Sequence, residues 1–139
     1  MSFKDISEIA GSAMAAQSVR LNTIASNLAN ADAVAGNEGE TYRARKPVFA
    51  TVLGENSEGM MTGGKVQVLD VVESSEPLRK VYEPGHPMAN ADGMVFYSNV
   101  NEVAEMADMM SASRAFETNV EVIGRIRTMQ QSLLKLGES

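Results

Sequence analysis

The sequence predicts a mainly α-helical fold with a small β insertion, in which long N- and C-terminal helices pair as a coiled-coil-like unit. Two observations support this prediction. Apolar residues recur every three or four positions at both ends of the chain, as they do along one face of a helix. Most glycines and all four prolines lie between those ends, among short β-prone runs and turn signals. The predicted segments are residues 1–30, 31–98 and 99–139.

The N-terminal helix is expected from about residue 4 to residue 30. Ser2 can cap its first turn, because a serine oxygen accepts a hydrogen bond from a backbone N–H that the helix leaves free. At ~1.5 Å per residue the helix would be roughly 40 Å long. Asn27 and Asn30 lie three residues apart near its end. We expect their amides to bond the open carbonyls of the last turn, and Asn30 to form a left-handed cap.

The central segment, residues 31–98, is expected to form a small antiparallel β module with loops. Strand-prone runs cover residues 41–53, 65–72, 78–82 and 94–97, with turn residues between them. A module of a few short strands has a thin hydrophobic core. We therefore expect it to pack against a helix or against a neighbouring molecule.

The C-terminal segment carries the clearest helical pattern, from about residue 99 to residue 136. Asn99 followed by Glu102 is typical of a capping box. A helix of ~57 Å is too long for a chain of this size to cover. Two apolar stripes run along adjacent faces of this helix: Val103, Met106, Met110, Ser113 and Val120 in the first, and Met109, Ala112, Phe116, Ile123, Ile126 and Leu133 in the second.

Two stripes need two partners. If the ends of the central module lie close together, the N-terminal helix can cover only one stripe, and the other stays exposed in a monomer. Large exposed apolar surfaces mark interaction sites. In the alternative arrangement, one stripe packs on the β module and the other on the N-terminal helix. The spacing favours the first arrangement and leaves the second open.

Composition excludes several classes of function. A net charge of −6 argues against nucleic-acid binding, which needs clustered Lys and Arg. The absence of Cys excludes disulfides, thiolate nucleophiles and zinc thiolate sites. No stretch approaches the ~18 apolar residues of a transmembrane helix, so we expect no direct membrane insertion.

Candidate chemical groups have structural explanations. His86, the single histidine, lies in a Pro-Gly-His-Pro turn without a nucleophile in its motif. Glu102 and Glu105 offset the dipole at the start of a helix. We therefore predict no catalytic residue, no cofactor and no metal site.

Several runs of residues are more specific than periodicity. Residues 21–32 read LNTIASNLANAD, with two amides and small alanines at the end of a helix. Other distinctive runs are residues 10–17, 42–44, 81–87, 99–101 and 110–122. Together they resemble the signatures of the axial family of flagellar rod, hook and hook-associated proteins, and of proximal rod proteins in particular. Asp32 stands where many axial proteins have a small hydroxyl residue, and Phe116 where tyrosine is common.

This resemblance implies a structural subunit of the bacterial flagellar rod, a hollow drive shaft that transmits torque across the periplasm around the export channel. The terminal helices would polymerise in the inner tube, with the central module outside. The implied partners are copies of the chain, other proximal and distal rod proteins and the rod-base adaptor. Export without a cleaved signal fits the N-terminus, where no basic region precedes an apolar stretch. The expected interface comprises Ile24, Asn27, Leu28, Asn30, Val103, Met106, Met110, Arg114, Phe116, Asn119, Val120 and Ile123.

A second function stays open from the sequence, a soluble helical adaptor or chaperone-type binding module. Such a module would need its C-terminal helix covered within a stable monomer. A helix lying on a membrane surface would need a basic polar face, whereas residues 99–139 carry more acids than bases.

Overall fold

The computed structural model describes residues 1–55 and 58–138, so residues 56–57 of the central segment and Ser139 of the C-terminal segment lie outside the described part. Its described elements are helix α1 (Phe3–Ala29), strands β1 (Val34–Ala35), β2 (Arg45–Glu55), β3 (Met61–Glu73), β4 (Arg79–Tyr82) and β5 (Met94–Tyr97), and helix α2 (Glu102–Glu138). The predicted fold class is confirmed: two long terminal helices pack together, with an antiparallel module between them.

Helix α1 begins with the predicted cap. Asp5 N donates to Ser2 Oγ at 3.1 Å, and Ser2 N donates to Asp5 Oδ2 at 2.7 Å. The hydrogen bond from the Ser2 backbone holds the pKa of Asp5 below its usual value. The left-handed cap expected at Asn30 is wrong, because its φ is −110° and its backbone N–H still bonds carbonyls of the last turn. Its side chain does bond such a carbonyl, Ser26 O, at 2.8 Å.

Helix α2 begins later than expected. Its cap is Asn101, whose Oδ1 accepts from Ala104 N at 3.1 Å. The expected cap, Asn99, lies outside the helix and bonds the backbone of two other segments. The Asn-x-x-Glu pattern at residue 99 was therefore wrong as a capping box.

The two helices run antiparallel. Arg20 Nη2 lies 3.3 Å from Asp108 Oδ1, and Phe3 lines one cavity together with Leu133 and Leu134. Within the described residues, the backbone of α2 approaches that of α1 and of no strand, and only its first turns, at Glu105 and Asp108, share a small cavity with the start of β2. Burial of Ala112, which is 0% exposed, is therefore burial against α1. The chain adopts the first arrangement, and the one in which the β module covers a stripe of α2 is wrong.

Strands β2 and β3 form a two-stranded antiparallel hairpin along α1. Ser12 Oγ accepts from Val66 N at 3.0 Å, and Lys65 pairs with Glu8. The hydrogen bond from Lys65 lowers the pKa of the Glu8 carboxyl. The first predicted strand began too early, because residues 41–44 form the connection that precedes β2.

The other three strands form a separate antiparallel sheet in the order β1-β5-β4. Val95, on the central strand, is fully buried. The loop from β4 to β5 depends on Gly93, whose φ of +75° favours glycine and whose Cβ would lie 2.8 Å from Tyr82 Cε2. His86 has the predicted turn role, since its Nδ1 accepts from Met88 N at 3.0 Å.

No helix in the described ranges combines the length and apolar character needed to cross a membrane.

Candidate assembly site

Asn27 connects the end of α1 to the start of the hairpin. Its side chain is 1% exposed. Its Oδ1 accepts from Arg45 N at 2.9 Å, and its Nδ2 donates to Arg45 O at 2.8 Å. These are the two bonds that a residue of a neighbouring antiparallel strand would make. The expectation that this amide bonds its own last helical turn is therefore wrong.

The chemistry of an edge strand explains why Arg45 needs this partner. A strand without a neighbour on one side leaves backbone N–H and C=O groups without hydrogen-bond partners. Where such groups are buried, a side chain that bonds them is stabilising. Tyr42 supports the arrangement, because its hydroxyl donates to Asn27 Oδ1 at 2.8 Å and lies 3.1 Å from Ser26 Oγ. The Arg45 guanidinium also stacks 5.4 Å from the centre of the Tyr42 ring.

A second asparagine, Asn99 in the segment before α2, holds Ala44, the residue that precedes Arg45. Asn99 Oδ1 accepts from Ala44 N at 2.7 Å, and Asn99 Nδ2 donates to Glu76 O at 2.9 Å. Asn99 lies three residues before the start of α2, whereas Asn27 lies in the last turn of α1. We call Asn27, Tyr42, Ala44, Arg45 and Asn99 the hub, because they join both helices to the hairpin. Sequence reasoning singled out residues 42–44 only through resemblance and Asn99 also as a helix cap, and local spacing could not have shown that they meet.

The outer face of α2 carries exposed apolar side chains. Val103, Met106 and Met110 are 78%, 54% and 62% exposed, and we call these three the outer patch. They lie on the side of the helix that faces away from Ala112 and α1. These three side chains are the first three residues of the first apolar stripe that the sequence predicts.

The predicted interface residues fall into three groups in the structure. Ile24 and Asn27 are buried within the chain. Leu28, Asn30, Phe116, Asn119 and Ile123 are half-buried. Val103, Met106, Met110, Arg114 and Val120 are exposed. The structure thus brings the outer patch together on one surface and separates it from Phe116 and Ile123, and an interface role for all twelve stays a prediction.

A further apolar surface lies at the end of α2 and was not among the predicted interface residues. Met129, Leu133, Leu134 and Leu136 are all exposed, and we call them the C-terminal patch. The sequence signal was the run Leu-Leu-Lys-Leu at 133–136. Between the two patches the exposed side of α2 is mostly polar, with Val120 as an exposed apolar residue. Arg125 Nη2 bonds Glu121 Oε1 there at 2.6 Å.

The surface chemistry of the described ranges is that of packing and hydrogen bonding. Across residues 1–55 and 58–138, no three His, Asp or Glu side chains gather as they would around a metal ion. Tyr97 donates to Glu83 Oε2 at 2.7 Å, and this bond raises the pKa of the tyrosine.

Comparison with known proteins finds two family models along the chain. Residues 8–36 match the family described as flagella basal body rod protein. Residues 91–136 match the C-terminal family of flagellar basal body rod FlgEFG proteins. The first match contains Asn27 of the hub and the second contains Asn99, so both helix ends of the hub lie in matched regions.

Whole-chain relatives are also found. The chain is 49% identical to the flagellar basal-body rod protein FlgC of Salmonella typhimurium, over 99% of this chain and 100% of that protein. It is 40% identical to FlgC of Buchnera aphidicola subsp. Schizaphis graminum, over 99% and 100% of the two chains. Against FlgC of Bacillus subtilis the identity is 31%, over 94% and 95%.

Proposed function

This chain belongs to the family of the flagellar basal-body rod protein FlgC, and from that membership we propose how its surfaces build the rod. It is a structural subunit of the flagellar basal body and not an enzyme. In the proposal, α1 and α2 polymerise into a hollow shaft that transmits torque and surrounds the export channel. Residues 31–98 form the outer layer of that shaft.

The observation that carries the proposal is the outer patch. Each of its three side chains is more than half exposed, on a helix whose other side is already covered by α1. Burying a Val or Met side chain fully is worth ~1.5–3 kcal/mol. Three such side chains supply several kcal/mol per contact, before the entropy cost of association is subtracted. A neighbouring subunit gives that surface a partner.

The hub supports the mechanical part of the proposal. It ties both helix ends to consecutive residues of one segment, Ala44 and Arg45. A load on the helical pair is thereby passed to the hairpin through short hydrogen bonds and not through a flexible linker. This is the connection that a rotating shaft with an outer layer needs.

The partners proposed for the terminal helices are copies of this chain, the other proximal and distal rod proteins and the rod-base adaptor. The chain would reach them through the flagellar export apparatus without a cleaved signal. The interface proposed is the set of twelve residues predicted from the sequence, with the outer patch as its exposed centre and with Ile24 and Asn27, which are buried within the chain, supporting it from the inside.

A charge substitution in the outer patch tests the proposal. We expect Met106→Glu combined with Met110→Glu to leave the melting temperature of the isolated subunit almost unchanged, because both side chains already face solvent. The same variant should abolish motility and leave rods absent from purified basal bodies. Ser111→Glu, also exposed but off the patch, is the matched control and should swim normally. Normal rods in the Met106 and Met110 variant would contradict the proposal.

Hydrogen exchange separates the rod subunit from the alternative adaptor module. Helices that lack tertiary packing are marginal in water, and residues 127–138 of α2 are exposed throughout. We expect weak protection there in the dilute subunit. Strong, uniform protection along both helices would favour the adaptor.

A further inference from the structure

Glu105 is a buried acid near the start of α2. It is 6% exposed, and its carboxylate makes no hydrogen bond or ion pair within residues 1–55 and 58–138. The dipole of a helix favours an acid near its start, but this does not explain the burial, because Glu102 lies in the same field while exposed to solvent. Burying a carboxylate is costly unless a base or several donors bind it. The described part of the chain therefore leaves Glu105 without the partner that its position needs.

Glu105 lies at the floor of a cavity of about 140 Å³ between α1, α2 and the start of β2. The floor consists of Glu105, Thr23 and Ile24, which are all buried. The rim reaches solvent, because the side chains of Arg45 and Asp108 are 48% and 51% exposed. A water molecule occupies ~30 Å³ in the liquid, so the cavity has room for the charged end of one side chain.

The side chains of the floor offer hydrogen-bond acceptors but no free donor. Thr23 Oγ1 donates its hydrogen to Val19 O at 2.8 Å. Ile24 has no polar atom, and the ionised carboxylate of Glu105 only accepts. The cavity therefore suits a group that brings both donors and a positive charge, which is an ammonium or a guanidinium.

The two arginines that border the cavity are held by other acids. Arg20 Nη2 lies 3.3 Å from Asp108 Oδ1. Arg45 Nη2 lies 3.9 Å from Glu73 Oε1. Neither guanidinium pairs with Glu105, so the arginines of the wall do not complete the site.

Lys46 is the remaining base beside the cavity, and its side chain leaves the strand on the other face. Side chains alternate between the two faces of a strand. Pro47 and Phe49 share one face and both border the cavity, whereas Val48, on the face of Lys46, does not. The ammonium of Lys46 is therefore directed away from Glu105.

We propose that the cavity receives a lysine or arginine side chain from a neighbouring subunit of the rod, whose cation pairs with Glu105. The inference rests on the proposed function and adds a polar contact on the side of α2 that faces away from the outer patch. The isolated subunit carries an unpaired acid that assembly neutralises. A neighbour with no base at this position leaves the carboxylate unpaired, so the contact selects between neighbours.

Removing the charge of Glu105 tests the site, because it separates the stability of the subunit from assembly. We expect Glu105→Gln to melt no lower than the unmodified full-length chain, since the charge that it removes has no partner there. In cells that make only this variant, the number of rods per cell should fall about tenfold or more, because truncating one partner of a buried ion pair weakens an interface strongly. Glu102→Gln, an exposed acid of the same turn, is the matched control and should build rods normally.

Two results overturn the site. One is a melting temperature of Glu105→Gln well below that of Glu102→Gln, which would mean that the carboxylate is already bonded within the chain. The other is a normal number of rods in cells that make only Glu105→Gln. Absence of the unmodified chain from basal bodies would instead contradict the proposed function, so the two failures are distinguishable.

Selection for motility in cells that carry Glu105→Arg identifies where the cation comes from. We expect second-site substitutions that turn a lysine or arginine of a rod subunit into an acid, because these restore opposite charges across the contact. A substitution elsewhere in this chain identifies a second copy as the source, and one in another rod protein identifies that protein. Finding suppressors only at Arg20, Arg45 or Lys46, or none at all, overturns the proposal.

Discussion

Replacing Asn27 by alanine is expected to loosen the base of the hairpin from α1. The change removes the acceptor for Arg45 N–H, the donor to Arg45 C=O and the acceptor for the Tyr42 hydroxyl. A buried backbone group left without a partner costs ~1–3 kcal/mol, so two such groups cost about 2–6 kcal/mol. We expect about 3 kcal/mol, in the lower half of that range, because these bonds are only partly buried.

Urea unfolding of the isolated subunit, followed by circular dichroism, measures this loss. Asn30→Ala is the matched control, since Asn30 makes one side-chain bond, to Ser26 O, on the same turn of α1. We expect that control to lose ~1 kcal/mol or less. Hydrogen exchange at the Arg45 amide gives a local measurement, because this N–H is held by Asn27 Oδ1 at 2.9 Å.

Equal unfolding midpoints for Asn27→Ala and Asn30→Ala would refute this reasoning. So would an Arg45 amide that exchanges at the same rate in the unmodified chain and in Asn27→Ala. Either result would mean that water replaces the side-chain amide without a net cost.

Ala112→Leu should destabilise the subunit by ~1–3 kcal/mol, because the fully buried Ala112 leaves no space for a larger side chain beside α1. Ala107→Leu, on the exposed side of α2, is the control and should not destabilise it. Equal melting temperatures for the two variants would contradict this. Gly93→Ala should cost ~1–3 kcal/mol in thermal unfolding through its positive φ. Gly85→Ala, which meets no atom within 4 Å, is its control, and equal losses would contradict the reasoning. Gln17→Met should raise stability by ~1 kcal/mol, because the buried Gln17 Oε1 finds no donor among the described residues; a lower melting temperature would show that this oxygen is bonded.

The sequence predicted the elements whose signals are local. Both terminal helices followed from apolar spacing, and Ser2 followed from capping chemistry that acts over three residues. The strand at Met94–Tyr97 has the predicted bounds. Strand β1 was not predicted, because two residues are too few to show alternation.

The hub could not be predicted from spacing, since its bonds join distant positions. Asn99 has a cap-like sequence, but its oxygen is used by Ala44 N, which lies fifty-five positions away. Asn27 likewise bonds Arg45 across eighteen positions. The exposure of the leucines at the end of α2 was not predicted for a different reason. Periodicity showed that these residues are apolar but not that α1 begins beside them, at Phe3, and so covers no residue beyond that point.

The hub also constrains the sequence of events by which a newly made chain becomes rigid. Asn27 can engage Arg45 as soon as the first third of the polypeptide is available, whereas Ala44 waits for Asn99. Until that late residue arrives, the hairpin is held by α1 alone, through Asn27 at its base and through Ser12 and Glu8 along β3. The base of the hairpin is therefore fastened from both sides only when the chain has been made as far as Asn99, so a product that ends before this residue would lack one of the two asparagine anchors.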